Sequence, residues 1–175
     1  MKKIILALVF SIVSTAFFAQ SAFDKYDGQD GVGSIIVNKK MFQMMGSVKV
    51  DANDKETQNY LELIKKLDNL KVFTTSNSKI AADMKITAEK HMKSAGLEEM
   101  MKLTDSGKNL KVWVKTGASE SQIKELLMFS VDPNKNNESV LMSLTGNFNI
   151  NDIAILMNKM KIPGGDDLKK ATKEK

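Results

Sequence analysis

The chain has 175 residues, 42% of them hydrophobic, a formal net charge of +5, and no cysteine. Without cysteine there can be no disulfide, thiolate nucleophile or zinc–sulfur site, and no attachment point for a lipoprotein's lipid. All 26 basic residues are lysines, so the planar fork that grips phosphate or guanine at two points is missing, and the lysines scattered among acids describe a solvated surface, not a nucleic-acid-binding patch.

The first element is a leader. Met1-Lys2-Lys3 is basic, Ile4 to Phe18 is almost unbroken in its apolar character, and Ala19, Ser21 and Ala22 are small. That order is the signature of a secretory signal peptide. Its apolar run falls short of the roughly 18 residues of a membrane-spanning helix, so removal is expected rather than anchoring. Cleavage after Ser21 fits the small-residue pattern, with the mature start between Gln20 and Phe23. The expected organisation is a signal peptide over 1–21, one domain over 22–162, and a disordered charged tail over 163–175. The expected product is soluble, either periplasmic or secreted, and held together by apolar burial alone.

After a polar, glycine-rich lead-in from Asp24 to Gly33, Ser34 to Val37 reads as a short apolar strand. Met41 to Met45 reads as one helical turn ended by Gly46. Tyr60, Leu61, Ile64 and Leu67 recur at helical spacing and predict an amphipathic helix over Lys55 to Asp68. Leu70, Val72 and Thr74 alternate with Lys71, Phe73 and Thr75, as in a strand. Ile80, Met84, Ala88, Met92 and Ala95 mark one face of a helix from Ser78 to Ala95, stopped by Gly96. Leu97 to Leu103 reads as a short additional helix.

Beyond the turn at Asp105-Ser106-Gly107 the period changes. Leu110, Val112 and Val114 alternate with Lys111, Trp113 and Lys115. A second turn at Gly117-Ala118-Ser119 leads into a buried strand from Ile123 to Val131, which Asp132-Pro133-Asn134 breaks. Val140, Met142, Leu144 and Phe148 then alternate again. These three strands predict an antiparallel meander. A last helix from about Asn151 carries Ile153, Leu156, Met157 and Met160 on one stripe and ends at Pro163-Gly164-Gly165. The fold class is α+β: an antiparallel sheet with a C-terminal three-strand meander and helices packed on one face.

Several of these pieces resemble a known family. Phe23-Asp24-Lys25-Tyr26, Gly31-Val32, Met41-Phe42, Leu97-Glu98-Glu99-Met100, the Asp105-to-Lys115 segment, Glu125-Leu126-Leu127-Met128, and Leu144-Thr145-Gly146 with Ile150 are similar to domain of unknown function 4252, common in Bacteroidetes. The resemblance covers nearly the whole mature chain through apolar and glycine positions. It implies an exported small α+β domain, lipid-anchored in some members, and brings no activity, cofactor or catalytic residue. The missing cysteine departs from the lipid-anchored members.

Chemistry-bearing residues are few. His91 is the single histidine, beside the apolar stripe of its helix, with Asp83 and Glu89 at no clean ligand spacing; a helix-face histidine bordering the core explains it. No serine sits in a nucleophile elbow. Asp24, Asp27 and Asp30 recur every third residue among Gly28, Gly31 and Gly33, which fits neither a calcium-binding EF-hand loop nor a dinucleotide fingerprint and reads as a flexible lead-in. Met44-Met45 and Met100-Met101 supply the thioethers that bind Cu(I), but no nitrogen donor stands near them, and Met84, Met92, Met157 and Met160 lie on core stripes. No catalytic, cofactor-binding or metal-binding residue is assigned.

Trp113 is the best candidate for contact with a partner. With Leu110, Val112 and Val114 facing the core, it points the other way between Lys111 and Lys115, where an indole can stack on a sugar or anchor a protein. The competing reading covers it with the N-terminal segment or a neighbouring aromatic. The function expected is that of a non-enzymatic binding domain of the bacterial cell envelope, with an envelope protein or glycan as partner. The alternative is a small carboxylate-dependent hydrolase of glycan or cell-wall material, for which folding would bring two acids together.

Overall fold

The computed structural model describes residues 22–149 except Ala52, together with Asp152, Ile153, Leu156 and Lys159. The expected leader, the tail at 163–175, and Ile150, Met157 and Met160 lie outside the described residues. The described chain is α+β, built on one six-stranded, fully antiparallel sheet.

The elements run β1 (Gly33–Asn38), α1 (Lys39–Gly46), α2 (Lys55–Lys65), β2 (Leu67–Thr75), α3 (Ser78–Ala95), β3 (Glu98–Asp105), β4 (Lys108–Thr116), β5 (Gln122–Asp132) and β6 (Glu138–Asn149). Each helix starts at a side-chain cap that satisfies an orphan backbone N–H. The Asn38 carboxamide accepts from the Met41 amide at 3.0 Å, Asp54 from Thr57 at 3.0 Å, and Asn77 from Lys79 at 2.9 Å and Ile80 at 3.3 Å. Gly96 ends α3 in the left-handed region, φ 67°, which a residue with a Cβ adopts at a cost.

The sheet order is β1-β2-β6-β5-β4-β3. The expected meander of β4, β5 and β6 is present and is extended by β3, so Leu97 to Leu103 corrects from helix to edge strand. The cause is the hairpin that follows. Ser106 and Gly107 both take positive φ, 49° and 82°, the twist of a two-residue turn that folds Asp105 back onto Lys108. Once that register is set, Leu103 and Met101 pack against the core as strand residues.

Alternation along the strands fills both faces of the sheet. Val72, Val112, Leu126, Met128 and Met142 belong to a first cluster with Phe42 of α1 and Leu63 and Ile64 of α2. Phe73, Trp113, Leu127, Phe129 and Leu141 belong to a second cluster with Met84 and Ala88 of α3. The helical residues Ile153 and Leu156, fully buried, join the first cluster. The expected grouping of helices on one face therefore holds for α1, α2 and this last segment, while α3 covers the opposite face. An antiparallel sheet needs only one covered face, but here adjacent residues such as Val112 and Trp113 are both apolar, and each requires its own layer.

Two irregularities set the ends of the sheet. A bulge at Lys124 lets Ile123 and Leu126 both face the first cluster while Glu125 turns toward α3. At Gly146 the chain passes so close to β2 that a Cβ would lie 2.5 Å from the Lys66 carbonyl oxygen and 2.9 Å from Leu67 Cα. Only glycine fits that crossing.

Candidate functional site

Trp113 does point away from Val112 and Val114, as its alternation requires, but it is 2% exposed inside the second cluster. Of the two readings of the indole the covered one holds, and Trp113 as an exposed partner contact is corrected: α3 and the N-terminal segment lie over this face. Lys111, on the same side, holds its ammonium 5.9 Å from the Trp113 ring centre and 3.6 Å from Glu89 of α3. It ties strand to helix. Lys115 is exposed.

Phe23-Asp24-Lys25-Tyr26 is fastened to the same face residue by residue. The Phe23 ring meets His91 edge-on at 5.0 Å, and Tyr26 lies 5.6 Å from Phe73. The Tyr26 hydroxyl donates to Asp83 at 2.8 Å and approaches Thr87 at 2.9 Å, Lys25 donates to Asp83 at 2.5 Å, and the buried Lys71 ammonium donates to Asp24. The hydrogen bonds from Lys25 and Tyr26 hold the Asp83 carboxyl below the usual carboxylate range. Burial pushes the Tyr26 phenol above its ordinary value.

His91 is buried, and its Nε2 lies 2.6 Å from Glu125 Oε1 at the bulge of β5. The contact is a hydrogen bond for neutral imidazole and an ion pair for imidazolium. Sequence reading placed His91 at the core border correctly but could not supply its partner, because the two are brought together only by the bulge and the packing of α3. Among the described residues no group of three or more histidines, cysteines, aspartates and glutamates is arranged to hold a metal ion. No helix among them is long and apolar enough to cross a membrane.

A polar cleft of about 370 Å³ opens at one end of the sheet, lined by Lys66, Ser119, Ser121, Gln122, Asn147 and Asp152 among others. Its lining offers hydroxyls and carboxamides with a single carboxylate. Asp152 accepts from the Asn149 amide at 3.2 Å.

The exposed large apolar side chains lie elsewhere. Among the described residues six large apolar side chains are exposed, and five of them, Ile35, Ile36, Met41, Met44 and Val48, fall on β1, α1 and the residues just after. Ile35 and Ile36 point to opposite faces of β1, so these residues flank both sides of one sheet edge. β1 is an edge strand, paired on one side to β2. From Gly33 to Asn38 it contains no charge, no proline and no bulge. The opposite edge, β3, carries Glu98, Glu99, Lys102 and Asp105 and a register shift between Glu99 and Met101. Charges and bulges are the devices that keep an edge from pairing with another chain. The β3 edge has both and the β1 edge has neither.

A family model described as Domain of unknown function (DUF4252) matches residues 26–156. The chain belongs to that family. No curated protein and no solved structure matches it.

Within this DUF4252 domain, the pieces that carried the resemblance hold the fold. Tyr26 and Phe42 are buried, the Gly31 carbonyl accepts from Thr75 at 2.7 Å, Glu125 pairs with His91, and Gly146 permits the close crossing over β2. The exposed stretch of β1 was legible only as an apolar strand. The signal available in the sequence was the absence of charge between two charged flanks, Asp27 and Asp30 before it and Lys39 and Lys40 after it.

Proposed function

We propose that this DUF4252 domain is an exported, non-enzymatic interaction domain of the bacterial cell envelope, binding protein at its β1 edge. The observation that carries this reading is the pairing of an undefended edge strand with the exposed apolar residues Ile35, Ile36, Met41 and Met44. A strand added to such an edge gains main-chain hydrogen bonds along its length, while alternate side chains supply selectivity. The basic, apolar, small-residue order of the first 22 residues supports export.

The polar cleft supports a second reading, glycan binding, since hydroxyl and carboxamide groups suit a polyhydroxylated ligand. Hydrolysis of that ligand by the usual route asks for two carboxylates about 5–10 Å apart. Asp152 is the one acid among the described lining residues, which favours binding over cleavage.

A photo-crosslinking side chain placed at Ile36 and, as a comparison, at Lys102 tests the edge reading in cells that express the chain. Protein adducts at Ile36 and none at Lys102 are expected. Equal adducts at both edges, or none at either, would overturn it.

A further inference from the structure

We infer that the occupant of the β1 edge is a second copy of this chain, paired antiparallel about a two-fold axis normal to the sheet. The inference rests on the edge reading and names its partner. Three features of the strand make it self-complementary.

The first is charge. β1 is preceded by Asp30 and by Asp27, which accepts from the Ser34 hydroxyl at 3.0 Å, and followed by Lys40 and by Lys39, whose ammonium lies 2.7 Å from Asp68. Antiparallel pairing of two identical strands sets the acidic start of each against the basic end of the other, at both ends of the ladder. Parallel pairing would set acid against acid and lysine against lysine.

The second is register. A two-fold axis normal to the sheet leaves each face on its own side, so residues of one face pair only with residues of that face. Ile35 and Val37 stand opposite Val72 and Leu70, on the first-cluster side, and Ser34 and Ile36 stand opposite Phe73 and Lys71, on the second. The pairing must therefore centre on one residue and not between two. Centred on Ile35, it sets Ile35 against its twin, Ile36 against Ser34 and Val37 against Gly33. The ladder runs from Gly33 to Val37, and beyond each end the acidic turn that holds Asp30 in one copy lies on the side of Lys40, in the first turn of α1, of the other.

The third is closure. α1 follows the strand directly and packs Phe42 into the first cluster, so both copies place α1 on one face of the joined sheet. α1, with the exposed Met41 and Met44, then lies on that side in both copies. The joined sheet ends on two β3 edges, each carrying its charges and bulge. Association stops at a dimer instead of growing into a fibre.

Sedimentation of the chain purified after expression with its own leader reads this directly. A concentration-dependent dimer is expected for the wild type, and a monomer for Ile35→Lys, whose thermal unfolding stays within a few degrees of the wild type. Asp30→Lys or Lys40→Glu alone should weaken the dimer about tenfold, and the two combined in one chain should restore it. A monomer at all concentrations, a dimer indifferent to Ile35→Lys, or single reversals that the double variant does not rescue would overturn the proposal. A monomer that still yields Ile36 adducts with a different protein overturns self-pairing and leaves the edge reading standing. A monomer without adducts overturns both.

Discussion

Trp113 and the Ile35–Ile36 pair occupy comparable positions in the sequence, apolar residues in short strands with lysines nearby, yet their fates are opposite. The indole is 2% exposed and the two isoleucines are 47% and 41% exposed. The strand pattern of each is the same in kind. What differs is the layer above. Trp113 sits on an interior strand beneath α3 and the Phe23–Tyr26 segment, whereas β1 lies at the sheet margin. Exposure of a strand residue is decided by which element covers its face, and alternation alone says nothing of that.

This contrast can be broken most forcefully at the covered end. Trp113→Ala should cost about 3–5 kcal/mol, as deletion of a large buried aromatic does, and should leave association unchanged. A small loss in denaturant unfolding would mean the indole is not packed as described. His91→Ala removes the partner of Glu125, whose side chain is only 12% exposed, and should cost about 1–3 kcal/mol. His91→Gln should recover part of the loss by restoring a hydrogen bond. Gly146→Ala should cost about 1–3 kcal/mol, because the added methyl meets the backbone at Lys66 and Leu67.

Smaller effects sharpen the comparison further. Asp83 lies below its ordinary pKa in the folded chain, so its contribution is present above the unfolded value of about 4 and is lost as pH falls through the folded one. Tyr26 lies above its ordinary pKa, so its contribution is present below about 10 and is lost as pH rises. Asp83→Asn should flatten the acid limb of a stability–pH profile and leave the edge untouched. At the bare edge itself, Ile36→Lys should change stability by no more than about 0.5 kcal/mol while abolishing association.

The sequence was most legible where period and punctuation agree. α3 runs from Ser78 to Ala95 as its stripe and Gly96 predict, the strand around Trp113 follows its alternation, and the one around Leu127 follows its apolar run. It was least legible where long-range pairing overrides local pattern. Glu98 to Asp105 becomes a strand because a two-residue turn pairs it to β4, and α2 ends at Lys65, with β2 beginning at Leu67, because that strand must reach Gly146. The exposed edge was hidden for a related reason. Ser34 to Val37 reads only as a short apolar strand until the sheet order places it at the margin, and His91 and Glu125, 34 positions apart, meet only through the fold.

On the proposed pairing, β1 is an edge that a second chain covers and β3 an edge that stays open. Amide hydrogen exchange of both strands, followed across a range of protein concentrations, tests it most directly. Protection of Gly33–Asn38 should rise with concentration while that of Glu98–Asp105 stays constant. Concentration-independent exchange in both strands, or protection that rises at β3 instead, would contradict it.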